Sequence, residues 1–201
     1  MPKLVRADLL PPAAPDAHSL TSAPKLTRVW DPLVRLFHWS LVAGFVSAWF
    51  SANRAEDLHT WVGFATSGLI LLRLIWGVAG TRYARFSSFV RGPRTVLGYV
   101  RAILTGHEAR YIGHNPAGGA MVLALMAGVL ALGVTGWMQF TDAYYGEDWV
   151  TNLHGMIADG MVVLILGHLG GVALASVRHR ENLVRAMITG RKRAPQRHDI
   201  A

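Results

Sequence analysis

Four long stretches with almost no charge constrain the fold of this chain more than any other feature. They cover residues 33–52, 58–79, 117–140 and 150–177. The third stretch has no charged residue, and the fourth has Asp159 as its only acid. A helix of about 20 apolar residues crosses the hydrocarbon core of a bilayer. The pattern therefore predicts an all-α protein, an integral membrane bundle of four helices.

The composition argues against several other classes of protein. Charged residues make up 16% of the chain and hydrophobic residues 52%, whereas a globular chain is typically about 25% charged. A disordered chain or an ordinary soluble enzyme does not fit these proportions. The chain has no cysteine, which excludes disulfides, thiolate-bound clusters and covalent c-type haem. Nine histidines remain as candidate metal ligands.

The distribution of charge predicts the orientation of the bundle. The chain has 20 basic and 12 acidic residues, and its formal net charge is +8. Basic residues lie before the first stretch, between the second and third stretches, and after the fourth. The two short connections carry the acids Glu56, Asp57, Asp142, Glu147 and Asp148. The positive-inside rule then places both termini in the cytoplasm. Because the basic residues are spread over three segments, we expect no nucleic-acid partner.

Outside the four stretches the chain divides into tails and short amphipathic segments. Residues 1–27 are interpreted as a disordered N-terminal tail, 28–193 as the membrane domain and 194–201 as a C-terminal tail. Apolar residues recur at helical spacing in 93–105 and 181–189. These segments predict short amphipathic cytoplasmic helices, which either lie on the membrane surface or cap the bundle.

Four histidines lie inside the predicted spans, where polar side chains are costly and commonly functional. They are His38, His59, His154 and His168. His154 and His168 are 14 residues apart, which corresponds to about 21 Å along one face of a helix. The topology pairs His59 with His154 toward the outside, and His38 with His168 toward the cytoplasm.

Two facing imidazoles at each of two depths match the ligands of two b-type haems. A haem with two histidine ligands has no open position, which suits electron transfer rather than oxygen chemistry. We therefore predict His38 with His168, and His59 with His154, as metal ligands, and we predict no catalytic residue. Glycines in the second to fourth spans leave gaps for a flat group or simply let helices pack closely.

Three further side chains are candidates near the cytoplasmic haem. Arg73 is predicted to bind a haem propionate. Arg35 is a second candidate, but for this residue we favour the alternative that its side chain extends to the lipid headgroups. His114 lies in the loop before the third span, where a quinone or a propionate could reach it.

Several sequence motifs resemble the bacterial cytochrome b561 family, which includes the b-type cytochrome subunits of nickel–iron hydrogenases. They are RVWDP and RLFHW within 28–39, DLH and LRLIWG within 57–77, YIGHNP at 111–116, and the histidines of the fourth span. The resemblance covers about residues 28–193. It implies a four-helix membrane cytochrome with non-covalent haem b.

The resemblance also implies a role in a respiratory chain. We expect two haems that carry electrons across the bacterial inner membrane, between a partner on the outer face and the quinone pool or another carrier. The outer partner is then a c-type cytochrome or a hydrogenase-like redox subunit. The chain itself would be a non-catalytic electron-transfer subunit.

Two alternatives stay open at this point. The first is a superoxide or small-reductant:quinone oxidoreductase, which also occurs in the family, although acidic outer turns repel an anion. The second is a metal transporter that uses the same histidines. Such transporters often show inverted repeats and interrupted helices, and neither feature is clear in this sequence.

Overall fold

The computed structural model describes residues 26–200, which form seven helices and two short strands. In chain order they are β1 (Leu26–Arg28), α1 (Pro32–Ser51), α2 (Glu56–Ala79), α3 (Phe86–Phe89), α4 (Pro93–Thr105), α5 (Pro116–Met138), α6 (Asp148–Arg178), α7 (Leu183–Thr189) and β2 (Arg191–Arg193). The predicted all-α membrane bundle is confirmed. Its four long helices begin and end within two residues of the predicted stretches.

Helices α1, α2, α5 and α6 are each long and apolar enough to cross a membrane. Helix α1 packs on α2, α2 on α5, and α5 on α6. A narrow core between them contains Ile70, Met126, Val129 and Met161. Most other apolar side chains of the spans face outward, and Val78 for example is 76% exposed. Such a surface suits hydrocarbon, because lipid solvates apolar side chains without the cost that water imposes.

Two of the long helices begin at residues whose side chains cap them. Asp31 Oδ1 accepts a hydrogen bond from the Val34 amide at 2.8 Å, and Pro32 follows it. Asn115 Oδ1 accepts one from the Gly118 amide at 2.7 Å, ahead of the first turn of α5. A capping side chain satisfies an amide that has no partner within the helix. These caps fix where α1 and α5 begin.

The bundle has two distinct ends. At one end short connections join α1 to α2 and α5 to α6, over residues 52–55 and 139–147; we call this the turn end. At the other end lie β1, β2 and the long connection between α2 and α5; we call this the terminal end.

A small cap covers the terminal end. Strands β1 and β2 pair antiparallel, with Thr27 opposite Lys192. Helix α7 contacts α6 and β2, and its Ala186 is almost completely buried. The short helix predicted over 181–189 is therefore present from Leu183 and caps the bundle. Helix α4 matches the predicted segment and packs on α5.

Buried charges tie the C-terminal segment into the cap. Arg110 forms ion pairs with Glu181, at 2.9 Å, and with Asp199. Lys192 Nζ donates to the carbonyl oxygens of Tyr111 and Ile112 at 3.2 and 3.0 Å. Burial raises the pKa of Glu181, but hydrogen bonds from Arg110 and the charge of Lys192 outweigh it and leave the pKa lowered. These contacts connect the segment before α5 to the segments after α6.

The structure describes only part of the two segments that the sequence predicts as tails. Residues 1–25, most of the interval interpreted as a disordered tail, lie outside the described residues. Leu26 and Thr27, placed in the same interval, belong to β1. Asp199 and Ile200, placed in the C-terminal tail, bond to Arg110 and Ile112. Short strands of this kind carry no periodic signal in sequence.

Candidate haem-binding histidine pairs

The four predicted ligands lie at two levels of the bundle. His59 on α2 and His154 on α6 lie near the turn end; we call them the turn-end pair. His38 on α1 and His168 on α6 lie toward the terminal end; we call them the terminal-end pair. Helix α6 thus contributes one histidine at each level.

The turn-end pair has the spacing of two ligands on one metal ion. The ring centroids of His59 and His154 are 6.0 Å apart, and the rings are inclined at 76°. Each metal–imidazole bond is about 2 Å long, so two such bonds place the ring centres roughly 6 Å apart. The residues present therefore fit a group held by two axial imidazoles.

Hydrogen bonds hold both rings of the turn-end pair by the same nitrogen. His59 Nδ1 lies 2.8 Å from the carbonyl oxygen of Ala48, which can only accept, so Nδ1 donates. His154 Nδ1 lies 2.9 Å from Thr135 Oγ1, and that hydroxyl in turn donates to the Ala131 carbonyl. Both rings therefore keep Nε2 as the metal-binding nitrogen. Hydrogen bonds on the far nitrogen orient a histidine ligand and raise its basicity.

The glycines predicted to leave gaps fall into two groups. A Cβ at Gly128 or Gly133 would meet Met161 or Ser67 of the neighbouring helix at close range, so these glycines serve helix packing. A Cβ at Gly63, Gly68 or four of the five α6 glycines would meet nothing within 4 Å. Those α6 glycines are Gly155, Gly160, Gly170 and Gly171. The four α6 glycines are exposed, so they do not serve close packing between helices.

The terminal-end pair has a third histidine close by. His38 and His168 lie within electrostatic range of each other, and both act on His114. The His114 ring packs between Trp30 and Phe89, with centroid distances of 4.7 and 4.8 Å. Within residues 26–200 no three metal-ligating side chains converge on one point. His114 therefore lies beside the pair without completing a three-ligand cluster.

His114 is a neutral imidazole at physiological pH. Burial is the main cause that lowers its pKa to about 3, and the charges of Arg73 and Lys192 add to it. A neutral imidazole carries one N–H that can donate and one nitrogen that can accept. The sequence marked this residue only by its place in the loop, and its burial depends on the packing of Trp30 and Phe89.

Arg73 and Arg35, the two predicted propionate partners, have different surroundings. Arg73 is 6% exposed; its Nη2 donates to the Ala84 carbonyl at 2.8 Å, and its guanidinium lies over the Phe86 ring. Arg35 Nη1 donates to the Ile188 carbonyl at the end of α7. Arg35 therefore ties α1 to the cap, whereas Arg73 is buried against Ala84 and Phe86, in the connection that follows α2.

Thr135 is a site residue that the sequence interpretation missed. It is 5% exposed and lies in an otherwise apolar span. A hydroxyl in the middle of a transmembrane helix commonly bonds back to the preceding turn, and nothing local shows that it also faces a ring on another helix. Only the packing of α5 against α6 brings Thr135 to His154.

The fold and these side chains define a class: a four-helix membrane protein whose helices present paired histidines to a shared interior. A family model for prokaryotic cytochrome b561 matches residues 29–190. The chain belongs to this family, and it is accordingly a membrane b-type cytochrome of electron transfer that binds haem b. No curated protein matches the chain significantly.

Proposed function

We propose that the chain is a dihaem cytochrome of the bacterial inner membrane. It carries electrons between a redox partner on the outer face and the quinone pool or another carrier of a respiratory chain. The observation that carries the proposal is the turn-end pair, with rings 6.0 Å apart and both Nδ1 atoms hydrogen-bonded. The terminal-end pair likewise consists of one histidine from α6 and one from another span, α1.

In this proposal the histidines bind the haems, and helix α6 sets the distance between them. A haem b with two imidazole ligands supplies reversible one-electron transfer without an open coordination position. His59 and His154 would hold one haem, and His38 and His168 the other. Helix α6 fixes their separation, because 14 residues of helix rise about 21 Å. Rigid helices keep both ligand pairs in place through a change of redox state.

Charge supports an orientation with the terminal end in the cytoplasm. The segments at that end carry most of the basic residues, among them Arg82, Arg85, Arg91 and Arg94. The turn end carries Glu56, Asp57, Asp142, Glu147 and Asp148. Positive loops stay on the cytoplasmic side, so the turn end faces outward.

The acidic turn end favours a cationic partner. Over residues 52–57 and 139–148 at this end, Arg54 is the one basic residue beside five exposed carboxylates. Complementary charge steers partners together and accelerates encounter. We therefore propose a c-type cytochrome with a basic docking face as the outer partner. The same carboxylates repel superoxide, which counts against the small-reductant alternative.

Haem content tests the dihaem assignment. We expect a pyridine haemochrome assay on the purified protein to give two haem b per chain, with no spectral shift by carbon monoxide. His59→Ala and His154→Ala should lose the same haem, and His38→Ala and His168→Ala the other. His107→Ala, an exposed histidine at the terminal end, is the matched control and should keep both. One haem in the unmodified chain would contradict the transmembrane relay.

Ionic strength tests the outer partner. We expect the rate of electron exchange with a basic c-type cytochrome to fall steeply as salt rises, because salt screens exposed charges. Replacing Glu147 and Asp148 by Gln and Asn should slow the exchange at low salt. Rapid reduction by superoxide in the presence of quinone, with no protein partner, would instead favour the oxidoreductase alternative.

A further inference from the structure

Buried nitrogen atoms without partners are concentrated at the terminal end. Within residues 26–200, six buried side-chain polar atoms have no hydrogen-bond partner. They are Arg35 Nε, His38 Nδ1, Arg73 Nη1, Trp76 Nε1, His114 Nδ1 and Arg193 Nε. All six are nitrogens, and none belongs to the turn-end pair. A buried donor without an acceptor is costly, so a group of them indicates an acceptor that the protein chain does not supply.

Arg73 is the strongest donor of this group. It is 6% exposed, and one of its two terminal nitrogens donates to Ala84 while the other has no partner. Asp31 is the acid that acts on it, but no hydrogen bond or ion pair joins the two side chains within residues 26–200, and the Asp31 oxygens accept from Val34 and Thr81. A buried guanidinium needs an anion, and its planar donors match a carboxylate best.

His114 and Trp76 are positioned to complete the surroundings of such an anion. Shared neighbours connect Arg73 to His114: Arg73 donates to the Ala84 carbonyl, Ala84 lies in one buried cluster with Trp30, and Trp30 packs on His114. Trp76 lies one turn after Arg73 on α2 and packs on the same cluster as Trp30 and Ala84. The charges of His38 and His168 also reach His114. These donors therefore lie at the same end of the bundle as the terminal-end pair.

We propose that Arg73 and His114 form an oxyanion site that binds a propionate carboxylate of the terminal-end haem. The proposal rests on the proposed dihaem function, since it names the ligand of the site beside one histidine pair. Arg73 supplies charge and two donors, and His114 supplies a neutral N–H held in place by Trp30 and Phe89. A lipid phosphate has the same oxyanion chemistry and is the competing source.

Competition between haem b and its dimethyl ester tests the site without measuring activity. The full chain is synthesised into nanodiscs with equal amounts of both haems, and the ratio of bound pigments is measured by mass spectrometry. We expect the unmodified chain to prefer the free acid about tenfold, because hydrogen bonds to charged groups are of this strength. Arg73→Gln and His114→Phe should each reduce the preference, and Arg73→Lys should keep part of it.

His114→Phe preserves the aromatic packing and removes only the N–H, so its effect separates binding from folding. Arg85→Gln is the matched control, because Arg85 is exposed at the same end of the bundle and should leave the preference unchanged. Equal binding of both haems by the unmodified chain overturns the carboxylate site while leaving the dihaem function intact. Loss of anionic phospholipid in Arg73→Gln, with no change in haem preference, assigns the site to lipid and overturns the proposal. Failure to bind haem b at all overturns the proposed function as well.

Discussion

At the scale of single residues, the hydrogen bond between His154 and Thr135 connects a side chain that is not a predicted haem ligand to haem binding. Thr135 Oγ1 donates to the Ala131 carbonyl, so it accepts from the imidazole N–H. The acceptor for His59 is a backbone carbonyl that no substitution removes. Thr135 is thus the side chain through which the ligand geometry of the turn-end pair can be altered without changing a ligand.

Thr135→Val should weaken haem binding at the turn end by about 10- to 100-fold, the usual effect of losing a hydrogen bond behind a metal ligand. Valine keeps the shape of threonine, so the packing of α5 on α6 stays the same. The measurement is retention of haem during dilution in detergent. Thr151→Val, which removes an exposed hydroxyl at the same end, is the control. Equal haem loss in both variants would contradict the assignment.

At the scale of elements, the C-terminal end of α7 is tightly constrained. Gly190 has φ of +76°, and its carbonyl oxygen accepts hydrogen bonds from the amides of Val29 and Trp30. A Cβ at this position would lie 2.6 Å from the Trp30 carbonyl oxygen. Both the left-handed backbone and this close approach require glycine.

Gly190→Ala should therefore destabilise the cap more than an alanine at another left-handed position. Gly106 ends α4 with φ of +73°, and a Cβ there meets nothing within 4 Å. Gly106→Ala should cost about 1 kcal/mol from the backbone conformation alone. Gly190→Ala should cost about 1–3 kcal/mol more, as overpacking does. Thermal unfolding of the two variants side by side measures the difference, and equal midpoints would contradict it.

At the scale of the whole molecule, the charge distribution and the proposed function predict the same end of the bundle to face outward. The proposed cationic partner on the outer face requires the acidic turn end outside and the cap in the cytoplasm. The chain has no cysteine, so a single introduced thiol reports its own position without background.

Ala143→Cys at the turn end and Ser87→Cys at the terminal end provide this test. Both positions are exposed. We expect a membrane-impermeant maleimide to label Ala143→Cys in intact spheroplasts, and Ser87→Cys only after permeabilisation, because positive loops stay inside. The reverse pattern of labelling would place the acidic face in the cytoplasm and remove the basis for a cationic outer partner.

The sequence alone determined the four spans, because about 20 apolar residues without charge have one stable arrangement in a bilayer. It also placed the four histidines at two depths, since helical rise converts residue spacing directly into distance. The turn-end pair, with ring centres 6.0 Å apart, agrees with the pairing inferred from topology.

Only the tertiary structure decided what the remaining polar side chains do. The contact of Thr135 with His154, the burial of His114 and the unpartnered nitrogen of Arg73 each depend on residues distant in sequence. The pairing of β1 with β2 joins segments more than 160 residues apart, and neither strand is long enough to show a period. The sequence pattern of one helix predicts its burial and the spacing of its residues, whereas these contacts depend on how separate elements pack against one another.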